Sequence, residues 1–258
     1  MDSLFDIMFT RQISPQWRWS FGDPAHLTYI VLCLVGAVWA LRALSRASRR
    51  RGEQAMRWLA GAVFTMWIIP PLLMCLTDTG ERWIDHLPLH LCSSACVLIP
   101  IGLTTRNQVL LNYAFGLSFP GAVAAILTPG EVFRSLSWAG FHYFLFNFSH
   151  LLLIVAGLGA IAVGWFRPSW RRYPAVLGIG LALMVVDYPI NKWLGSNYMF
   201  VNWAEPGTVL ETFADVAGTP GYVGLLVVFG AVVVALLYAV WSLAAWLSRP
   251  RLRPAPTV

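Results

Sequence analysis

Charged residues are scarce in this sequence: Asp, Glu, Lys and Arg make up 12% of its 258 residues, whereas a soluble domain has about 25%. Hydrophobic residues make up 58%, and the mean hydropathy is +0.64. This composition excludes an ordinary soluble domain and is typical of an integral membrane protein in a single bundle. The four cysteines form no disulfide framework, and we expect no cleavable leader because the N-terminus lacks a basic region.

Lysine is almost absent, since seventeen of the eighteen basic residues are arginine. The single lysine, Lys192, does not lie in the last apolar segment, so the Schiff-base lysine of a retinal protein is missing. The net charge of +6 does not indicate nucleic-acid binding, because the arginines are placed in the loops between apolar segments.

Seven apolar stretches are long enough to cross a bilayer, which takes about 20 residues with a range near 17–25. The expected fold class is therefore an all-α membrane protein, a bundle of seven transmembrane helices. Within the fourth stretch, Pro120 and Gly121 predict a kink or a break. The stretches lie at about 26–45, 58–77, 88–104, 107–128, 140–164, 174–192 and 221–247.

Arginine placement predicts the orientation. Twelve arginines lie in the alternate loops, and Arg42 near the end of the first stretch makes thirteen, against five basic residues on the other face. Cytoplasmic loops carry such an excess, so we expect an outside N-terminus, a cytoplasmic C-terminus and a multi-pass protein of the plasma membrane. The loops assigned to the cytoplasm are 45–57, 105–106, 165–173 and 248–258.

The rest of the chain follows from this orientation. All five histidines fall in the outer loops or outer span halves, and Glu53 is the only acid in an inner loop. Trp17, Trp19 and Phe21 are suited to an interfacial anchor. We divide the chain into a Trp-rich extracytoplasmic segment (1–25), a transmembrane domain (26–247) with an outer lid loop (193–220), and a basic cytoplasmic tail (248–258).

The stretch "HLPLHLCSSAC" from His86 to Cys96 gathers two of the five histidines and two of the four cysteines. With Pro88 in the first turn of the third span, His90 and Cys92 lie about one turn inside the membrane. They point about 200° apart, so a histidine base for Cys92 would come from another helix. The alternative is that Cys92 only packs in the core, as free cysteines often do.

Two further spans carry polar side chains. "HYFLFNFSH" in the fifth span places His142, Asn147 and His150, the last near the middle of the bilayer, and the sixth span holds Asp187. Ionisable residues inside a membrane are costly and by default indicate function. An outer-leaflet cavity would account for four of these side chains: His90, Cys92, His150 and Asp187.

Structural alternatives exist for each. His150 would bond a carbonyl of a neighbouring helix, and Asp187 would pair with Lys192 or His26. Asp85, His86 and His90 in "DHLPLH" include histidines at zinc-ligand spacing. However, Pro88 leaves His86 outside the regular helix, and the Glu of H-E-x-x-H is missing. We therefore expect neither a metal nor a cofactor.

Four motifs in order resemble the YwaF-like bacterial integral membrane proteins. The resemblance covers roughly residues 83–225, and more distantly it extends to a eukaryotic multi-span acyltransferase that builds polyunsaturated ether phospholipids. The resemblance implies that Cys92 carries an acyl group and that membrane phospholipids or lysophospholipids are the partners. It also implies that four further residues match marked positions of the bacterial family's pattern: His90, His150, Asn197 and Tyr198. The motifs are "HLPLHLC" (86–92), "FPGAVAAILTP" (119–129), "FSH" (148–150) and "GSNYMF" (195–200).

The sequence departs from that pattern at two places. Gly130 stands between "LTP" and Glu131, where the family has an acid directly, and the family's "PWY" is Pro220-Gly221-Tyr222. Both departures fall in outer loops and affect the expected substrate specificity and lid packing.

Two functions are compatible with this pattern. The first is a lipid acyltransferase in which Cys92 is the nucleophile, His150 or His90 the base, and Asp187 or Asn147 the group that orients it. The second is a transporter or lipid-binding bundle without catalysis, in which Pro120 and Gly121 mark a broken helix. In either case, the expected substrate-binding residues are His142, Asn147, Asn197, Tyr198, Pro120 and Gly121.

Overall fold

The computed structural model describes residues 3–9, 13–77, 82–129 and 136–248, and the elements of these ranges are helices. Of the predicted basic tail only Ser248 is described, and Gly130 and Glu131 also lie outside these ranges. The helices are α1 Leu4–Phe9, α2 Pro24–Arg46, α3 Arg49–Leu76, α4 Leu91–Thr105, α5 Gln108–Leu127, α6 Phe141–Ala162, α7 Tyr173–Leu194 and α8 Val209–Leu247.

A helix occupies each of the seven apolar stretches, and six of the described helices are long and apolar enough to cross a membrane. The exception is α4, which has 15 residues. At its end, Arg106 bonds Glu53 in the first turns of α3 (2.9 Å), so α4 runs back along α3. The chain is therefore an all-helical, multi-pass membrane protein with at least six candidate spans in its described part.

Helix boundaries follow from local capping. Asp23 accepts the N–H of His26 at the start of α2 (3.0 Å), and Pro24 occupies the first position, where a missing N–H costs nothing. Asn107 accepts two N–H groups at the start of α5. Gly195 ends α7 with φ +66°, a conformation that favours glycine.

The centre of the bundle is formed by α5 and α6. Their most apolar 18-residue windows are 50% and 56% buried, against 11% for α2, α7 and α8. The outer helices therefore present most of their apolar surface outward, as expected for a protein surrounded by lipid. The polar side chains of α6 lie in the enclosed part of the molecule.

Pro120 does not break the fourth apolar stretch, so of the predicted kink or break the break is excluded. The helix runs from Gln108 to Leu127 and widens into a π turn at Ala114–Ser118, where the N–H of Phe119 donates to the carbonyl of Ala114. A proline removes one N–H and crowds the carbonyl four residues earlier, and a π turn relieves both effects. The distortion lies just before Pro120, and the helix continues through it.

The π turn is packed closely against α6 at Gly157. A Cβ at Gly157 would lie 2.7 Å from the carbonyl oxygen of Ala114 and 3.1 Å from Cβ of Phe119. Backbone atoms cannot rotate away, so we expect Gly157→Ala to lower the free energy of unfolding by about 1–3 kcal/mol. A Cβ at Gly178 would meet nothing within 4 Å. Gly178→Ala is thus the matched control; equal effects of both variants in detergent unfolding would contradict this packing.

The outer loop differs from its predicted bounds of 193–220. Leu194 still belongs to α7, and α8 begins at Val209, although it bends at Gly218 and Thr219. The irregular part is therefore 195–208. The shift arises because hydropathy marks the apolar part of a helix, whereas a helix continues through polar residues outside the bilayer.

One of the three N-terminal rings is buried inside the protein. Trp19 is 4% exposed and packs on Tyr143 and His26, with ring centroids 4.7 Å and 5.2 Å away. Phe21 is exposed. Trp19 therefore fastens the segment before α2 to the start of α6, while Phe21 remains at the surface.

Candidate functional site at the start of α4

The helix that carries Cys92 begins at Leu91, three residues later than the sequence predicts. Pro88 lies in the preceding turn, and His90 is the N-cap residue with extended backbone (φ −65°, ψ 155°). His90 therefore stands outside the helix, not one turn within it. Cys92 is the second helical residue.

The first turn of α4 has no side-chain cap. His90 supplies none, and the first backbone bond of the helix runs from the N–H of Ser94 to the carbonyl of His90 (2.8 Å). The N–H groups of Leu91, Cys92 and Ser93 precede that bond, and the Cys92 thiol belongs to the same first turn. Uncapped N–H groups at a helix start favour a negative charge, such as a thiolate or an oxyanion.

Tyr113 of α5 holds this turn in place. Its side chain is fully buried, and its hydroxyl donates to the carbonyl of Leu91 (3.3 Å) and lies 3.3 Å from the Ser94 hydroxyl. Sequence reasoning did not identify Tyr113, because nothing in the local pattern relates it to Leu91, 22 residues away.

His150 has a defined tautomer. Its Nδ1 lies 2.7 Å from the carbonyl oxygen of Phe146, one turn earlier on α6. A carbonyl only accepts, so Nδ1 carries the proton and the lone pair is on Nε2. The structure thus corrects two expectations: the carbonyl belongs to the same helix, and the group that orients His150 is the main chain of Phe146, not Asp187 or Asn147.

Packing contacts show which residues of α4, α5 and α6 lie at the same level along the bundle. A Cβ at Gly121 would lie 3.1 Å from the side chain of Leu91, which brings the start of α4 beside Pro120 and Gly121. On α6, Gly157 packs at the π turn of α5, and His150 lies seven residues nearer the start of α6. Seven helical residues rise about 10 Å, which places His150 within about one turn of the level of Gly121.

Asp187 is fully buried on the inward face of α7. On the same face, a Cβ at Gly180 would touch Leu117 of α5 at 3.2 Å, so Asp187, seven residues further along, lies about 10 Å nearer the end of α7. Neither carboxylate oxygen accepts a hydrogen bond from the described residues. The suggested pairs with Lys192 or His26 are not formed: Lys192 lies over the ring of Tyr188, and His26 bonds Gly22 and Ile126.

We expect Asp187→Asn to stabilise the protein. A buried carboxyl without hydrogen-bond partners is costly, and the amide has nearly the same shape without the charge, so the free energy of unfolding should rise by about 1–3 kcal/mol. Asp215→Asn changes an exposed carboxylate and should have an effect within about 0.5 kcal/mol. Thermal unfolding in one detergent compares the two; a loss of stability in Asp187→Asn alone would show that the carboxylate has a partner in the membrane.

Two other side chains on α6 have local partners. The side-chain amide of Asn147 donates to the carbonyl of Tyr143 (2.9 Å), and the main-chain carbonyl of Asn147 accepts the Cys33 thiol (3.8 Å). His142 lies 2.9 Å from the hydroxyl of Thr77 at the end of α3. The bonds with Cys33 and Thr77 connect α6 to α2 and α3, and we assign neither Asn147 nor His142 a direct contact with Cys92.

The loop 195–208 packs against the segment before α4. The hydroxyl of Tyr198 donates to the carbonyl of Ile84 and accepts the N–H of Leu87, and the rings of Tyr198 and Phe200 lie 5.1 Å and 5.4 Å from the ring of His90. Asn197 uses its side chain within the loop, on the main chain of residues 202 and 203. Tyr198 and His90 are therefore in direct contact beside Cys92.

Asn191 positions this loop and was missed by sequence reasoning. It is fully buried on α7, accepts the N–H of Tyr198 (2.7 Å) and the Ser196 hydroxyl (2.8 Å), and donates to the carbonyl of Tyr198 (2.8 Å). Asn191 lies one turn after Asp187 on the same face. The sequence signal that could have identified Asn191 is a polar amide side chain within an apolar span.

The predicted catalytic residues thus form one pair and two separate members. Cys92 and His90 lie at the start of α4 with Tyr198, Pro120 and Gly121, and His150 lies at a similar depth on α6. Asp187 lies on α7, also near this depth. No hydrogen bond joins Cys92, His150 and Asp187 to one another, and the described residues contain no group of three metal-binding side chains. The side chain of Asp85 is outside the described part.

Apolar helices that enclose polar side chains define a multi-pass membrane protein with a candidate intramembrane site. A family model, that of the TMEM164 family, matches residues 20–238, and the chain belongs to this family. The match includes α2 to α7 and most of α8. Neither the curated proteins nor the solved structures contain a match to the chain.

Proposed function

We propose that this member of the TMEM164 family is a membrane-embedded acyltransferase that moves a fatty acyl chain between phospholipids through a thioester on Cys92. The observation that carries the proposal is the uncapped first turn of α4, which contains both the half-buried Cys92 thiol and backbone N–H groups without a side-chain partner. The resemblance to the YwaF-like proteins and, through them, to an ether-phospholipid acyltransferase supports the same substrate class.

In the first step, the thiolate of Cys92 attacks the carbonyl carbon of a phospholipid ester. His150 takes the thiol proton on Nε2, the C–S bond forms and the C–O bond breaks. The proton then passes to the departing lysophospholipid oxygen. In the second step, the hydroxyl of an acceptor lysophospholipid gives its proton to Nε2 and attacks the thioester, which restores the thiol.

The free N–H groups at the start of α4 would stabilise the oxyanion, a role for which the sequence offered no residue. The tetrahedral intermediate carries a negative oxygen, and donors fixed before the reaction stabilise it without reorganisation. His90, Tyr198 and Phe200 border this turn and would contact the lipid headgroup or glycerol. Asp187 would share the cavity from α7 and influence the proton held by His150.

The topology belongs to the proposal. We place the N-terminus outside and the C-terminus in the cytoplasm. In this topology α4 also crosses the membrane, which brings the number of spans to seven, and it is the shortest of them. The arginine bias supports this orientation. At about 1.5 Å per residue, α4 covers about 22 Å, and the extended segment before it would complete the crossing. The Cys92 end then faces the outer leaflet of the plasma membrane.

Acyl trapping tests the proposal. Purified full-length protein is incubated with a phospholipid vesicle containing one isotopically labelled acyl chain, and its intact mass is measured. We expect one added acyl group that hydroxylamine removes and that peptide mapping locates at Cys92. If the label is transferred to lysophospholipid without a protein adduct, the acyl group passes directly between lipids and no thioester forms. If neither adduct nor transfer occurs with any lipid donor, the protein is a lipid-binding or transport bundle.

A further inference from the structure

A polar cavity lies at the opposite end of the bundle from Cys92. It has a volume of about 460 Å³ and is formed where the α2–α3 turn meets the end of α4 and the turn after α6. Its polar lining comes mainly from Ser45, Ser48, Arg49, Glu53 and Arg106, with Trp165 beside them. This end carries the arginine-rich loops.

The charged side chains leave hydrogen-bond donors free. Glu53 accepts Nε of Arg49 (3.3 Å) and Nη2 of Arg106 (2.9 Å) on the same oxygen. The other guanidinium N–H groups of Arg49 and Arg106 donate to no described residue. Two cations and one anion leave a net positive charge, and the side chains of Arg46 and Arg50 nearby add to it. The free guanidinium N–H groups of Arg49 and Arg106 therefore favour an anion with several acceptor oxygens.

The side-chain contacts of Arg106 hold it in a strained backbone conformation. It ends α4 with φ +55°, in the left-handed region that glycine or asparagine ordinarily occupies. This conformation directs the guanidinium over the ring of Trp165, 4.5 Å from its centroid, and onto Glu53. The side-chain contacts offset the backbone strain, which indicates that the position of the charge matters.

An apolar groove of about 370 Å³ continues from the cavity. It shares Ser45 and Ala162 with the cavity and is otherwise lined by Leu41, Arg42, Leu158, Ile161 and Trp241. A free inorganic anion would occupy only the polar cavity. The juxtaposition of a cationic cavity and an apolar groove matches an amphiphile with an anionic headgroup and an acyl chain.

We propose that this end of the bundle binds an anionic phospholipid of the adjacent leaflet, with its phosphate on the guanidinium N–H groups of Arg49 and Arg106 that Glu53 leaves free and one acyl chain in the Leu158–Ile161 groove. The site is independent of the proposed acyl transfer, which uses the other end of the molecule. Its ligand is a resident lipid that stabilises the junction of α2, α3, α4 and α6.

Lipid-dependent thermal stability tests the site. Purified full-length protein in a neutral detergent is titrated with phosphatidylglycerol, with phosphatidylcholine or with glycerol 3-phosphate, and the half-saturating concentration is taken from the rise in Tm. We expect a saturable rise with phosphatidylglycerol and much weaker effects with the other two. Arg49→Gln with Arg106→Gln should raise the half-saturating concentration of phosphatidylglycerol about 25-fold, since each arginine near a lipid surface contributes about fivefold.

The matched control is Arg171→Gln with Arg172→Gln, which removes two exposed arginines from the same end but outside the cavity. It should leave the titration within about twofold of wild type. An equal rise in the half-saturating concentration for both double variants would mean that general surface charge attracts the lipid, and it would overturn the site. An unchanged titration of the cavity variant, or equal stabilisation by glycerol 3-phosphate, would overturn it as well.

A second variant separates binding from folding. Arg106→Gly removes the guanidinium but suits the left-handed backbone, so its Tm without lipid should stay close to wild type while phosphatidylglycerol binding weakens. If the cavity double variant does not fold, Arg49→Gln alone carries the test, because the Arg49 side chain is 89% exposed and packs against little else.

Discussion

Replacement of Cys92 by serine or alanine should abolish acyl transfer while the protein still folds. Neither side chain supplies a thiolate, and loss of a covalent nucleophile lowers turnover by about four orders of magnitude or more. The measurement is transfer of a labelled acyl chain from phospholipid to lysophospholipid in vesicles, with Tm and gel-filtration profiles to confirm folding. Cys92 is half-buried at a helix start, so either change should alter stability little.

Cys96 is the matched control for this variant. It lies one turn later on the same stripe of α4 and is 5% exposed in the apolar core. Cys96→Ala removes a packed sulfur and should cost stability but keep transfer within a fewfold of wild type. Full activity of Cys92→Ala would refute the thioester mechanism. Equal activity losses in the Cys92 and Cys96 variants would mean that α4 packing, and not the thiol, is required.

His150→Ala should lower acyl transfer about 100- to 10,000-fold, the usual contribution of a general base. The fixed tautomer leaves a lone pair on Nε2, and alanine removes it. The reason for choosing His150 over His90 is structural: Nδ1 of His150 is bonded to Phe146, whereas the ring of His90 packs between Tyr198 and Phe200. His90→Ala should therefore change the apparent KM for lipid more than kcat.

Two further measurements distinguish a base from a structural residue. Ser149→Ala alters the neighbouring side chain, whose hydroxyl also donates to Phe146, and should retain transfer. Imidazole added to the His150→Ala protein should restore part of the activity, because it replaces the missing acceptor. A loss that imidazole does not restore, together with a lower Tm than that of Ser149→Ala, would assign His150 a packing role.

The positions of the helices could be predicted from the sequence, and their ends less well. The first apolar stretch, 26–45, corresponds to α2 at Pro24–Arg46, and the fifth, 140–164, to α6 at Phe141–Ala162. The second begins at 58 by hydropathy, but α3 begins at Arg49, because arginines are good helix formers and α3 continues into water. Hydropathy locates membrane segments and not helix termini.

The candidate site was predictable in its residue types and not in its geometry. Intramembrane His150 and Asp187 could be singled out because polar groups in an apolar span are costly. The helix start at Leu91, the bond of His150 to its own helix and the partners of Tyr198 required the folded chain. The Arg106–Glu53 pair joins residues 53 positions apart, and no local pattern relates them.

The sequence by itself determined that this protein is a helical membrane protein, since apolar segment length and arginine placement act through transfer free energies that each segment carries alone. It also determined which polar side chains enter the membrane. Only the tertiary structure decided how Pro120 is accommodated, which residues hold the first turn of α4, and that a cationic cavity forms beside an apolar groove. These features depend on contacts between helices distant in the chain, where packing and hydrogen-bond geometry select one arrangement among many that the same hydropathy pattern permits.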